Sequence, residues 1–188
     1  MNITIFGHGH LASAVGKNFS ESGNQVSYVT HENDARIGDL AVLAVPYSAI
    51  KDIVKRYSRQ LAGKIVVDAT NPINFQNWTL TVPADSSSAA ETAKLLPESK
   101  VLKAFNTVTA ASLTDGKLAN GAAPQVLVAG DDEAAKQSLA KSLAESPLEI
   151  VDVGVLARAR DLESLGMIEL SMAANKKLPL SGGFLLVK

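Results

Sequence analysis

The chain has 188 residues, a formal net charge of −1 and no cysteine. That length suits one domain with a short appendage, the charge offers no electrostatic case for nucleic acid or an anionic membrane, and disulfides, thiolate metal sites and cysteine nucleophiles are excluded. With 46% apolar and 20% charged residues, no run near the ~20 apolar residues of a membrane span and a strand starting at residue 2 that leaves no room for a signal peptide, a soluble cytoplasmic protein is expected.

Met1 to Phe6 read as a strand around Ile3, Thr4 and Ile5, and they run into Gly7-His8-Gly9-His10-Leu11-Ala12. Leu11, Ala12, Val15 and Phe19 then recur at helical spacing through about Ser22. This is G-x-G-x-x-A between a strand and a helix, the context that makes the pattern informative. Gly7 permits the tight turn, Gly9 lets a pyrophosphate approach the backbone, and Ala12 lets helix and strand pack closely. The free N–H groups and positive dipole end of the helix face the phosphates. A dinucleotide is expected here.

Gln25 to Thr30 read as the second strand. An NAD site usually places Asp or Glu at its end for the ribose diol. Thr30 and His31 stand there instead, with Glu32 and Asp34 slightly later. A hydroxyl and an imidazole suit a 2′-phosphate better than a diol, and Arg36 offers a bidentate grip. NADP is the expected cofactor; His31 as the cap of a solvated loop is the alternative. About nine residues then lead to a third strand, Leu40 to Val45, too few for a helix. Pro46 ends that strand, and Tyr47, Ile50, Ile53, Val54 and Tyr57 mark a helix. Ala44, Val45 and Pro46 fall at a strand's carboxyl end, the edge where such sheets bind ligands. A plain strand end has the same periodicity.

Ile65 to Asp68 form the fourth strand, followed by Asn71 and Pro72 at the same edge, where Asn-Pro is also a good turn. Ile73 to Asp85 read as an irregular segment holding the single Trp78, of a length typical of lids and binding loops. Ser86 to Ser88 supply an N-cap for a helix from Ala89 to Leu96. Val101 to Ala104 make the fifth strand, followed by Phe105, Asn106, Thr107 and Val108, with one helical turn at Ala110 to Leu113. Gln125 to Ala129 and Leu148 to Val153 are the sixth and seventh strands. Gly130-Asp131-Asp132 caps the helix between them, which runs through about Glu145. After Gly154 a last helix covers Leu156 to Ala174, and Phe184 to Val187 read as an edge strand. The alternation predicts an α/β fold, a doubly wound, mostly parallel sheet of Rossmann type over residues 1–174, with a tail at 175–188. Leu165, Met167, Ile168, Leu170 and Met172 exceed one buried face, which predicts a homodimer; elution at monomer size would exclude it.

These motifs together resemble the NADP-binding reductases related to the deazaflavin-dependent NADP oxidoreductase, with the cytosolic domain of the six-transmembrane metalloreductases as a further relative. The resemblance rests on Gly7 to Ala12, Ala44-Val45-Pro46, Lys103-Ala104-Phe105-Asn106-Thr107 and Gly130-Asp131-Asp132. It extends through Gly154-Val155-Leu156 and Ala159-Arg160-Asp161-Leu162-Glu163, in family order over nearly the whole chain. It implies that the backbone of His8, Gly9, His10 and Leu11 contacts the pyrophosphate. It also implies that Thr30 and His31 replace a Ser and an Arg at the 2′-phosphate, and that Ala44 to Pro46 flank the nicotinamide riboside. Asn71 and Phe105 to Thr107 would border the nicotinamide and the second substrate. The chain departs at His31-Glu32, where relatives often have two Arg, and is shortened between Asp34 and Asp39 and at its C-terminal region.

His8, His10 and His31 lack metal-ligand spacing, so no metal is expected. His8 or His10 as a proton donor is a minor alternative. No nucleophile elbow is present, and Arg158 and Arg160 beside Asp161 and Glu163 read as surface or interface ion pairs. Hydride transfer between two rings needs stacking rather than an acid–base constellation. The leading expectation is therefore an NADPH-dependent oxidoreductase with a flavin-like, deazaflavin or other small acceptor. The alternatives are a non-catalytic NADP-binding sensor or scaffold and an S-adenosylmethionine methyltransferase.

Overall fold

The computed structural model describes residues 1–30, 32–33 and 35–187. Seven strands form one sheet: β1 (Asn2–Phe6), β2 (Gln25–Val29), β3 (Leu40–Leu43), β4 (Ile65–Asp68), β7 (Lys100–Lys103), β8 (Gln125–Gly130) and β9 (Glu149–Gly154). Their spatial order is β2-β1-β3-β4-β7-β8-β9. The first five run parallel, β8 turns antiparallel to β7, and β9 pairs parallel with β8. The expected doubly wound, mostly parallel sheet is present. Its last two strands point their carboxyl ends to the opposite edge.

Strand side chains alternate between two cores. Ile3, Ile5, Leu40, Val42 and Val67 meet Ala12, Val15 and Phe19 of α1 (His10–Glu21), Leu113 of α4 (Ala110–Asp115) and Leu139 of α5 (Glu133–Ser142). Phe6, Ala41, Leu43 and Val66 meet Ile50, Val54, Tyr57 and Leu61 of α2 (Ile50–Leu61) and Ala89 of α3 (Ser88–Leu95). The same face is completed by α6 (Ala159–Ala174), whose Leu162 packs on Leu127 and Ala129 of β8. Both faces of a parallel sheet must be covered in this way, which is why its strands read as nearly continuous apolar runs.

Several local features differ from the sequence reading. The segment after Pro72 contains a hairpin of two short strands, β5 (Ile73–Asn74) and β6 (Thr79–Leu80). The Thr81 N–H and hydroxyl both donate to the Pro72 carbonyl (2.7 and 3.0 Å), and that closes it. Among the described residues Phe184 to Val187 form no strand; the tail makes one bridge, Val108 to Gly183. Gln125 instead holds Leu186, donating to its carbonyl (3.1 Å) and accepting from its N–H (2.7 Å). A side-chain amide has substituted for a strand partner. On α6 only Ile168 of the five apolar residues singled out for a dimer face is exposed.

Gly130-Asp131-Asp132 lies at the amino edge of the parallel strands, because β8 is reversed. Asp132 accepts from Ala135 N–H (2.8 Å) to cap α5 and pairs with Lys100 (3.1 Å), while Asp131 accepts from Leu156 N–H (2.8 Å). These are fold-holding roles.

Glu169 on α6 is buried and its Oε1 has no hydrogen-bond partner among the described residues. Burial pushes its carboxyl from an ordinary 4.5 up to about 8. The folded state therefore binds a proton that the unfolded chain releases. The associated stability is complete below about pH 4.5 and is lost as pH rises through about 8, with a total on the order of 5 kcal/mol. Urea midpoints should fall across that window in the wild type and stay level in Glu169→Gln. A parallel decline in both proteins would remove Glu169 as the cause.

Candidate functional site

The carboxyl ends of β1, β2 and β3 open onto a cleft of about 400 Å³, lined by Gly7, His8, Gly9, Thr30, Ala44, Val45, Pro46 and the first two turns of α2. Its floor is the glycine turn. Gly7 has φ +111°, and a Cβ there would overlap the Ala44 carbonyl oxygen. Its N–H donates to Val29 O (2.9 Å), which ties the turn to β2. Gly9 differs: its φ of −72° suits any residue, and a Cβ there would meet nothing within 4 Å. Gly7 is required by the fold. Gly9 keeps space open.

Gly9 is also the N-cap of α1, and no side chain caps that helix. The first amides of α1 therefore point outward without a side-chain acceptor, a ready anion cradle at the positive end of the helix dipole. His10 and Leu11 begin α1 beside the cleft rather than in its lining. His8 and His10 are exposed.

Thr30 ends β2. Its hydroxyl oxygen accepts from the N–H groups of Glu32 (3.2 Å) and Asn33 (3.1 Å), a side-chain turn that shapes the loop. Its O–H remains a donor toward the cleft. His31 and Asp34 lie outside the described residues. Arg36 is carried away from the cleft: it lines a separate groove with Asn2, Gln25 and Lys64 at the amino edge. The cause is local. Ile37 is buried on the α2 side of the sheet, and Asp39 N–H donates to Asn2 O (2.8 Å), so the chain descends to the start of β1 before β3 begins.

The remaining expected residues gather at the ends of β4 and β7, outside the lining of this cleft. Asn71 and Asn106 bond to each other: Asn71 Nδ2 donates to Asn106 O (2.8 Å), and Asn106 Nδ2 donates to Asn71 Oδ1 and to Leu162 O (both 2.9 Å). Gly166 of α6 presses on that pair, since a Cβ there would stand 2.7 Å from Asn106 O. Pro72 and Thr107 are buried. Phe105, at φ +66°, sends its ring into the core, edge-on to Phe19 at 6.1 Å. The Phe105 side chain is a core residue, not a wall for a ligand.

Lys103 and Glu163 explain why the two late motifs occur together. Both are fully buried, with Lys103 Nζ 2.8 Å from Glu163 Oε1 and 3.5 Å from Asp68 Oδ1. Lys103 Nζ also donates to Thr70 O (2.6 Å) and Ser88 Oγ (2.7 Å), and Glu163 accepts from Ser88 N–H (2.9 Å). This network fastens α6 and α3 to the ends of β4 and β7. Its role is to hold the carboxyl edge together.

The sequence reading missed the α2 wall: Ala49, Asp52, Ile53, Arg56 and Tyr57 line the cleft. Tyr57 packs edge-on against Phe6 (5.1 Å, 66°), and the Arg56 guanidinium lies over the Tyr57 ring at 5.3 Å. The 52–53–56–57 spacing is one helical stripe beginning at the sheet edge, a signal available once Pro46 is placed there.

A family profile described as NADP oxidoreductase, coenzyme F420-dependent, matches residues 25–72. The chain is similar to the F420-dependent NADP reductase of Methanocaldococcus jannaschii, with 33% identity over 142 residues that cover 72% of this chain and 62% of the reductase. It is also similar to Metalloreductase STEAP3 of Rattus norvegicus, 32% identical over 126 residues that cover 67% of this chain and 24% of that protein. The chain thus matches less than two thirds of the length of either relative. Among solved structures, an Arthrobacter sp. FB24 protein provisionally described as an F420-dependent NADP reductase superposes with a TM-score of 0.87 over the whole of both chains, at 24% identity. The hypothetical protein SMa0349 from Sinorhizobium meliloti gives 0.72 at 29% identity, covering 84% of this chain and 86% of that one.

Proposed function

The chain is a relative of the coenzyme F420-dependent NADP oxidoreductases, and from that premise we propose that its cleft binds NADPH for hydride transfer to a small acceptor. The observation that carries the reading is the open position at Gly9 over an uncapped helix terminus, inside a cleft of nucleotide size. The amides at Gly9 to Leu11 would hold the pyrophosphate, and the Thr30 O–H would reach the ribose of the adenosine half. Val45 and Pro46 supply the apolar wall against which the ribose and base settle.

When bound, the nicotinamide supplies a hydride, two electrons and one proton, to the acceptor. The protein's part is to orient two rings and exclude water between them. Asn71 and Asn106, locked to each other and to α6, give the carboxyl edge beyond β4 a fixed polar surface beside which an acceptor would sit. The acceptor class we favour is a flavin or deazaflavin, the latter supported by the names of the related reductases. No side chain needs to act as an acid or base in such a step.

The test is turnover. Mixing the protein with NADPH and, in turn, a deazaflavin, FMN and FAD should consume NADPH with at least one of them. Tight NADPH binding with no consumption by any acceptor would leave a nucleotide-binding sensor instead.

A further inference from the structure

We infer that Phe75 and Trp78, on the β5–β6 hairpin, form an aromatic corner that receives the acceptor and selects a broad planar ring of flavin or deazaflavin type. This rests on the reading that the protein passes hydride from NADPH to a small acceptor. The hairpin leaves the sheet after Asn71-Pro72, directly beyond β4. Because β3 and β4 run parallel, it stands at the same carboxyl edge as the cleft and the Asn71–Asn106 pair. Its position is fixed from both sides. Thr81 closes it on the Pro72 carbonyl, β6 packs on α6, and Arg160 of α6 donates to the carbonyls of Pro83 and Ser86 (both 3.3 Å). The same helix presses on the two asparagines through Gly166. One helix therefore backs both the polar pair and the hairpin.

The tip carries more than a chain reversal needs. Phe75 is 63% exposed and Trp78 is half-buried, and their rings meet edge-to-face with centroids 5.6 Å apart and planes at 82°. Trp78 has φ +54°, and its backbone N–H donates to Asn74 O (2.8 Å) to close the turn. Glycine or asparagine adopts that left-handed position readily, whereas a bulky side chain there is strained. An exposed ring beside a strained one, at the edge where the ligand binds, is explained by a ligand that lies on both.

Two rings near a right angle offer one face to stack on and a second to abut, which suits a flat ligand wider than a single six-membered ring. The Trp78 indole N–H has no acceptor among the described residues, so a ring with carbonyl groups along its rim gains a donor there. A flavin or deazaflavin has both the flat extent and the rim carbonyls. The tip is also ordered by its own side chains. Asn74 Oδ1 accepts from Gln76 N–H (2.9 Å), and Asn77 Oδ1 accepts from the Thr79 hydroxyl (2.8 Å). Little entropy is lost when a ring settles on a surface already held in place.

The experiment is steady-state NADPH oxidation with FMN, FAD and a deazaflavin by wild type, Phe75→Leu and Trp78→Gly, with NADPH calorimetry and thermal unfolding alongside. Phe75→Leu keeps an apolar side chain without the ring, and should raise the acceptor KM by roughly 3–10-fold. Trp78→Gly should raise it by roughly 10–30-fold, the value of one lost stacking surface. In both variants kcat and the NADPH Kd should stay within about 3-fold of wild type. Glycine relieves the left-handed backbone, so Trp78→Gly should melt within about 3 °C of wild type, where a residue kept for stability would lose far more. If Trp78→Gly is poorly folded, Phe75→Leu carries the comparison. Acceptor KM values unchanged in the variants, or raised only together with the NADPH Kd, overturn the assignment while leaving the reductase reading intact. Wild type that consumes NADPH with none of the acceptors overturns that reading, and the aromatic corner with it.

Discussion

Lys103→Met should unfold at a much lower urea concentration than wild type, with a loss of about 3–5 kcal/mol. Removing the ammonium leaves the carboxylates of Asp68 and Glu163, both fully buried, without the cation they share. It also takes the ammonium donor from Thr70 O, while Ser88 Oγ keeps its bonds to the Thr70 hydroxyl and to Glu163. Methionine matches the volume of lysine, so the loss comes from uncompensated charge and not from a cavity. For a domain whose whole stability is about 5–15 kcal/mol, the melting temperature should fall by about 10 °C. The folded fraction should still bind NADPH with little change, because the network lies outside the cleft lining. A small stability loss accompanied by abolished binding would reverse this and make Lys103 a ligand residue.

Gly9→Val should have the opposite profile. The backbone there is extended (φ −72°, ψ −179°) and a Cβ meets nothing within 4 Å, so the fold accommodates the side chain. Valine is a poorer N-cap than glycine, which costs about 1 kcal/mol at most. Its methyl groups would nevertheless stand where the pyrophosphate must approach the α1 amides, and NADPH affinity should fall at least about 100-fold. Gly7→Val is the contrasting variant. With φ +111° and the Ala44 carbonyl in the way, it should damage the fold and binding together. Calorimetry and thermal unfolding on the two variants separate a residue kept for the chain from one kept for the ligand. Full affinity in Gly9→Val would place the phosphates elsewhere.

Local chemistry made half of this site legible in the sequence. The turn at Gly7 to Ala12 and the strand end at Ala44 to Pro46 are each read from a few adjacent residues, and the structure brings Gly7 to Gly9 and Ala44 to Pro46 to one cleft. The seven strands of the sheet were legible for a related reason: buried parallel strands are short apolar runs between turn signals. What escaped depends on how distant segments meet. Arg36 looked well placed after β2, but the burial of Ile37 and the Asp39–Asn2 hydrogen bond take that segment to the opposite edge. Arg56 carries no local signal of its own; only the start of α2 at the sheet edge turns its stripe toward the glycine loop. The Phe105-to-Thr107 stretch suggested ligand contacts, and Glu163 beside Arg158 and Arg160 suggested a surface or interface ion pair. The two regions meet each other inside the fold instead, through Lys103–Glu163 and Asn106–Leu162. Phe105 shows the same limit: nothing in its neighbours reveals that a positive φ turns the ring inward.

The most direct test of the account is titration of the wild-type protein with NADPH and NADH side by side. The account predicts micromolar binding of NADPH and markedly weaker binding of NADH. Equal affinity for the two would contradict a 2′-phosphate site, and no heat with either would contradict the dinucleotide cleft at Gly7 to Gly9.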